Sequence, residues 1–320
     1  MHQLPLGEDC RHGTFVAPTV IEIDDLAQLQ REVFGPVLHV LRYRRDALPQ
    51  LIDAINATGY GLTLGVHSRI DETIDFVAQR AHVGNIYVNR NIVGAVVGVQ
   101  PFGGEGKSGT GPKAGGPLYL KRLQRHAQLH EELTRAQPAQ VPNTLLDSLL
   151  DWARTHGHER LAASGERYHR DSLLQRSLLL PGPTGERNTL GFAPRGLVLC
   201  VAASVGTLLN QLAAAFATGN TVVVDETTAA LLPAGLPAPV RAAIRRASQL
   251  EAEALQAALV DSHQAAAWRV RLAEREGALV PLILCSEDGA IPLWRLLAER
   301  ALCVNTTAAG GNASLMTISV

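Results

Sequence analysis

The chain has 320 residues, 29 Lys and Arg against 30 Asp and Glu, a formal net charge of -1 and 46% hydrophobic residues. That balance supplies no basic field for nucleic acid or an anionic membrane surface, and the apolar content suffices for the packed cores of two domains. No run reaches the roughly 20 apolar residues of a membrane span, and the scattered Cys10, Cys200, Cys285 and Cys303 have neither disulfide-frame nor metal-ligand spacing, which points to a reduced cytoplasmic protein without a metal site.

Residues 14–23 read as strand material with no capping element before them, so the chain reads as starting within a fold. Residues 24–31 form a short polar-faced helical stretch. Gly35-Pro36 then turns the chain before an apolar strand at 37–43, leaving Glu32 and Phe34 at the bend. Asp46 is placed to cap a helix with Leu48, Leu51, Ile52 and Ile55 on one face, and Pro49 is tolerable in its first turn. A strand follows at 62–67. The Ser68 and Asp71 spacing of a capping box then leads into a helix burying Ile70, Ile74, Val77 and Ala81, and a third strand runs over 84–89. The alternation predicts an α/β unit with a largely parallel sheet.

The third strand leads into the most distinctive stretch of the chain. Nine of the 24 residues from Gly94 to Pro117 are glycine and three are proline. Glycine lets backbone amides approach a ligand, and proline stiffens the path between them. Such a loop, carrying the Ser108 hydroxyl at the carboxyl end of a strand, suits a small anion such as a carboxylate. The plainer alternative is a flexible linker.

Glu32-Val-Phe-Gly-Pro36, the βαβαβ pattern, Gly84-Asn-Ile-Tyr-Val-Asn89 and Pro101-Phe-Gly-Gly104 resemble the C-terminal part of the aldehyde dehydrogenase catalytic domain. The run from Gly103 to Pro117 is similar to that of 1-pyrroline-5-carboxylate (glutamate semialdehyde) dehydrogenases, which occur alone or within bifunctional proline utilisation A proteins. The resemblance covers residues 12–122. It implies that Glu32 hydrogen-bonds the nicotinamide ribose of NAD and that Phe34 packs near the nicotinamide ring. It also implies that Ser108, with the amides of Gly109 and Thr110, anchors the substrate α-carboxylate. Lys107 and Lys113 read as solvated. The family's cysteine nucleophile and glutamate base should precede Glu32 by far more than the 31 residues available here. Cys10, beside Glu8 and Asp9, is no candidate for that role. No catalytic residue is therefore assigned to this chain, and flavin would belong only to a proline dehydrogenase domain outside it.

Residues 121–140 are charged and helical in character, and the prolines beyond give a linker at 125–143 between domains at 1–124 and 144–320. Leu145, Leu149, Trp152 and Ala153 predict an amphipathic helix, with His156 and His158 at its solvated end. Residues 180–188 read as a turn-dense hinge. A buried strand at 194–202, an apolar helix at 207–218 and a strand at 221–225 then make a Rossmann-like half. It is similar to the nucleotide-binding opening of an aldehyde dehydrogenase, but Ala203-Ser204-Val205 stands in place of Pro-Trp-Asn and Asp225 in place of a ribose-binding lysine. A degenerate, non-catalytic fold is expected, although an acid at a strand end can also hold a ribose diol.

Residues 237–258 and 262–276 read as helices, 279–285 as an edge strand and 291–300 as a helix. The closing stretch weakly repeats the first half, and the apolar end 315–320 is expected to dock on a sheet or partner. The resemblance implies partnership with the remainder of the polypeptide in a homodimer or larger oligomer. The alternative function is a catalytically silent assembly module covering an active site elsewhere.

Overall fold

The computed structural model describes residues 1–97, 99–124, 133, 142–285 and 289–307, in two compact units, Met1–Thr58 and Gly59–Val320. In the first unit, β1 (His2–Gln3) pairs antiparallel with β2 (Thr19–Ile23), which pairs in parallel with β3 (Val37–Leu41). The helical stretch expected at 24–31 is only a 3-10 turn, Leu26–Gln28, closed by a capping box between Asp25 and Gln28. Helix α1 (Leu48–Ala57) buries Ile52, with Pro49 in its first turn as expected. Asp46 does not cap it. The residue lies in a preceding 3-10 turn, and its carboxylate pairs with Arg44 at 2.9 Å.

The second unit begins with β4 (Tyr60–Gly61) and β5 (Thr63–Val66), then α2 (Asp71–Arg80) and β6 (Asn85–Val88), with β5 and β6 parallel. This βαβ step is the one the alternation predicts, and β3 lies in a different sheet. Ser68 builds no capping box: its hydroxyl accepts from the Ile70 amide (3.1 Å), and Ile70 itself is exposed while Ile74, Val77 and Ala81 are buried. After β7 (Glu105–Gly106) and α3 (Tyr119–Leu123) come the antiparallel helices α4 (Thr144–Thr155) and α5 (Glu159–Asp171).

The turn-dense hinge is instead the tip of a hairpin, β8 (Ser177–Leu180) and β9 (Glu186–Pro194), paired antiparallel. Then β10 (Leu197–Val201), α6 (Val205–Ala217) and β11 (Thr221–Val224) reproduce the expected parallel Rossmann-like half, followed by α7 (Glu226–Ala229). The helix expected over 237–258 is broken into α8 (Ala238–Ala242), β12 (Ile244–Arg246) and β13 (Leu255–Val260). Leu255–Val260 is rich in helix formers, but burial between β10 and the edge strand β14 (Leu282–Ile283), beyond α9 (Ala265–Ala273), makes it a strand. The helix expected at 291–300 is also absent: a 3-10 turn, Leu293–Leu296, leads directly into the long strand β15 (Leu297–Asn305).

Two five-stranded sheets result, β12-β11-β10-β13-β14, all parallel, and β5-β6-β15-β9-β8, mixed. In the second, β15 lies parallel to β6 and antiparallel to β9, so residues from both sides of the 125–143 stretch share one sheet. Leu133, within the expected linker, is buried with Leu118, Leu190 and Phe192. The rest of 125–141, and the end 308–320 on which the docking expectation falls, lie outside the described residues. Among the described residues no helix is long and apolar enough to cross a membrane.

Asn220 ties this architecture together. Its side-chain oxygen accepts from the Gly196 amide (2.9 Å), and its nitrogen donates to Leu296 O (2.9 Å) and Thr218 Oγ1 (2.8 Å). Asn220→Ala strands these groups and should lower the free energy of unfolding by about 2–4 kcal/mol in urea denaturation; a loss below about 1 kcal/mol would contradict this role.

Candidate functional site

The glycine-rich loop is pinned at its base. Asn85, opening β6, donates to Leu62 O (2.8 Å) and Gly103 O (3.1 Å), and Phe102 and Ala114 exchange backbone hydrogen bonds of 3.0 and 2.9 Å. Above that bridge β4 and β7 pair antiparallel. Gly106 is required there: its φ is 60°, and a Cβ would come within 2.5 Å of Gly59 O. At the turn, Ser108 Oγ accepts from the Gly61 amide at 3.1 Å, while the Ser108 amide donates to Glu105 O at 3.0 Å. The Gly109 amide donates to Gly106 O across a long 3.4 Å. Of the three amides this turn contributes, only that of Thr110 has no acceptor among the described residues. The turn can therefore offer an anion the Thr110 amide, the Thr110 hydroxyl and the Ser108 hydroxyl proton.

Lys113, expected to be solvated, is 2% exposed. Its Nζ donates to Gly103 O and reaches Asn85 Oδ1 at 3.4 Å, and its backbone amide donates to Glu299 Oε2 at 2.7 Å. Burial holds the Lys113 ammonium down to about 8, against the pull of Glu299 and Glu105. Burial likewise raises the Glu299 carboxyl, opposed by its hydrogen bond from the Lys113 amide and the charges of Lys113 and Arg195. Arg195, in the turn between β9 and β10, donates to Thr110 O (2.8 Å) and Arg295 O (2.6 Å), and Arg300 pairs with Glu105 at 3.2 Å. Sequence reasoning passed over these residues because Glu299 and Arg195 lie 186 and 85 positions from their loop partners. No local pattern marks them.

Glu32 and Phe34 lie in the first unit. Phe34 is 85% exposed, and Glu32 has no hydrogen-bond or ion-pair partner among the described residues. Both side chains are exposed at the bend before β3. In the Rossmann-like half both substituted positions are occupied by capping: Ser204 accepts from the Thr207 amide and Asp225 from the Thr228 amide. His156 and His158 stack on Trp152 with 4.9 Å between ring centroids, and no cluster able to hold a metal occurs among the described residues. Burial raises the thiols of Cys200 and Cys285 and pushes Cys303 up to about 11.

Residues 2–129 match the aldehyde dehydrogenase family. The chain is 50% identical, over 97% of its length, to the bifunctional protein PutA of Escherichia coli (strain K12), of which it covers 25%. A 1-pyrroline-5-carboxylate dehydrogenase of Bacillus licheniformis is 43% identical over 36% of the chain and 22% of that relative. The solved structure of proline utilization A from Corynebacterium freiburgense shares the fold, with a TM-score of 0.61 and 24% identity over 90% of this chain and 27% of that one. The chain thus spans about a quarter of the PutA proteins it matches. It is similar to PutA proteins along its length, and its residues 2–129 match the aldehyde dehydrogenase family.

The buried Lys113 has a measurable consequence. Between about pH 8 and 10.5 the unfolded chain keeps a proton that folded Lys113 has lost, so this residue makes stability rise with pH across that window. Lys113→Met should remove a slope of up to about 1.4 kcal/mol per pH unit, read as the difference between wild type and variant in urea unfolding at several pH values. Parallel pH profiles would refute the assignment.

Proposed function

We propose that this chain is part of an NAD-dependent L-glutamate γ-semialdehyde dehydrogenase of proline catabolism, to which it contributes cofactor and substrate contacts but no nucleophile. The observation that carries the reading is the pinned turn at Ser108–Thr110, whose remaining donors suit a carboxylate. The likeness to PutA and to 1-pyrroline-5-carboxylate dehydrogenases supports the amino-aldehyde as its bearer.

In this reading Ser108, Gly109 and Thr110 hold the substrate α-carboxylate. The Ser108 hydroxyl can donate outward because its lone pair already receives the Gly61 amide. Thr110 supplies its amide, while Gly109 contributes close backbone approach without a side chain. Glu32 accepts hydrogen bonds from the ribose hydroxyls of NAD, and Phe34 offers its ring to the nicotinamide. When bound, NAD supplies the hydride acceptor. The residues of this chain bind and orient. The raised thiols of Cys200, Cys285 and Cys303 make poor nucleophiles, and Cys10 lies in a polar 3-10 turn of the first unit, so the attacking thiolate belongs to the remainder of a PutA-like polypeptide. The capped Rossmann-like half is a non-catalytic module of the same cytoplasmic, oligomeric assembly.

Mixed with NAD and glutamate semialdehyde, the purified chain should form no NADH; turnover would overturn the missing-nucleophile assignment. In equilibrium titrations with L-glutamate, Ser108→Ala should weaken binding about tenfold, the effect of losing one hydrogen bond to a charged group. Equal affinities for wild type and variant would remove Ser108 from the site.

A further inference from the structure

Three charged side chains from beyond residue 190 converge on the glycine-rich loop. Arg195 holds Thr110 O at 2.8 Å, Glu299 holds the Lys113 amide at 2.7 Å, and Arg300 holds Glu105 at 3.2 Å. The first two contacts fall on the last residue of the turn and on the stretch that follows it. That side of the turn has no strand pairing of its own until the Phe102–Ala114 bridge. The preceding side is already fixed by β4–β7 pairing and by Ser108 on Gly61.

We propose that Glu299 and Arg195 are positioning residues for carboxylate recognition: they fix the residues on either side of Gly111 and Pro112, and so set the direction of the Thr110 amide. The proposal rests on reading the Ser108–Thr110 turn as the carboxylate site. Two features separate the contact from ordinary packing. Glu299 is 8% exposed, and its Oε1 has no partner among the described residues. That oxygen faces Gly116, where an added Cβ would lie 3.3 Å away, beside a cavity of about 40 Å³ lined by Thr110, Gly111 and Arg195. A buried carboxylate with one oxygen on a loop amide and the other unused carries a desolvation cost that packing alone would not select. Arg195 likewise spends both of its donor contacts on carbonyls, of Thr110 and Arg295, and pairs with no carboxylate within ion-pair distance among the described residues. Each side chain satisfies backbone groups, and those satisfied in the loop are Thr110 O, which ends the turn, and the Lys113 amide beyond it. The second half of the chain thereby acts on substrate geometry while touching no substrate.

The test uses the 320-residue chain with Glu299→Ala, Glu299→Gln, Arg195→Ala and Arg195→Lys, two readouts, and L-glutamate as probe. Amide exchange followed by mass spectrometry should quicken about tenfold in peptides spanning 104–114 for both alanine variants, and change less than about twofold in β10 and β11. Glu299→Gln keeps an oxygen for the Lys113 amide and should stay near wild type. Arg195→Lys keeps the charge without the forked donors and should fall between wild type and alanine. The dissociation constant for L-glutamate should rise in the same order. Unchanged loop exchange in the alanine variants, equal loosening of β10 and β11, or a loosened loop with unaltered glutamate affinity would each overturn the proposal. If wild type binds no L-glutamate, the carboxylate reading fails, and the positioning role built on it falls too; the exchange data then still report whether the clamp exists.

Discussion

The glycine-rich loop and the mixed sheet are joined through one buried contact, the carboxylate of Glu299 on the backbone amide of Lys113. Strand β15, between β6 and β9, buries Glu299 and partly buries Arg300 near its start, and both need partners there. The glycine-rich loop supplies them: the Lys113 amide for Glu299 and the Glu105 carboxylate for Arg300. The loop, in turn, has few side chains with which to hold its own shape. A buried charge without such a partner would cost several kcal/mol, so strand and loop specify each other. The sheet they share makes a single body of Gly59–Val320 from two stretches that look separable in sequence.

What was legible in the sequence was local. The βαβ steps β5-α2-β6 and β10-α6-β11 declare themselves because a strand, a short turn and an amphipathic or apolar helix fall within about 25 residues, each with its own periodicity. The glycine and proline pattern marked the loop, and Ser108 within it. Strands made of helix-forming residues were hidden. Leu297–Asn305 begins Leu-Ala-Glu-Arg-Ala-Leu and Leu255–Val260 reads Leu-Gln-Ala-Ala-Leu-Val, and both became strands because open edges on either side satisfied their backbones. Lys113 was concealed at shorter range. A lysine between proline and alanine in a glycine-rich run looks solvated, yet its ammonium is held by Gly103 O and Asn85 Oδ1, 10 and 28 positions back.

The two halves treat equivalent chemistry differently. In the Rossmann-like half, Ser204 and Asp225 stand at the ends of β10 and β11, where an open α/β sheet presents its ligand groups. Their oxygens accept from Thr207 and Thr228, at the first turns of α6 and α7. Capping stabilises a helix by about 1 kcal/mol and turns the oxygen toward the protein. Ser108 Oγ accepts an amide as Ser204 Oγ does, but its hydroxyl has no second side-chain partner among the described residues, whereas Ser204 Oγ also lies 3.0 Å from Thr207 Oγ1. One geometry closes a site into structure, and the other holds a donor ready.

That difference bears on how a loop so rich in glycine can hold its shape. Glycine loses more conformational freedom on ordering than any other residue, and an unsupported loop would lose that entropy at the moment of binding, at the expense of affinity. Here the ordering is achieved on folding. The Phe102–Ala114 bridge, the β4–β7 pair, the Lys113 ammonium on Gly103, and the side chains of Arg195 and Glu299 fix the backbone before any ligand arrives. The contacts hold backbone groups rather than side chains, so they constrain the path of the loop without filling the space beside Gly109 and Thr110. On the proposed reading, a small carboxylate would meet donors whose directions are already set, and the stability of the distant strand β15 would become part of the affinity of the turn.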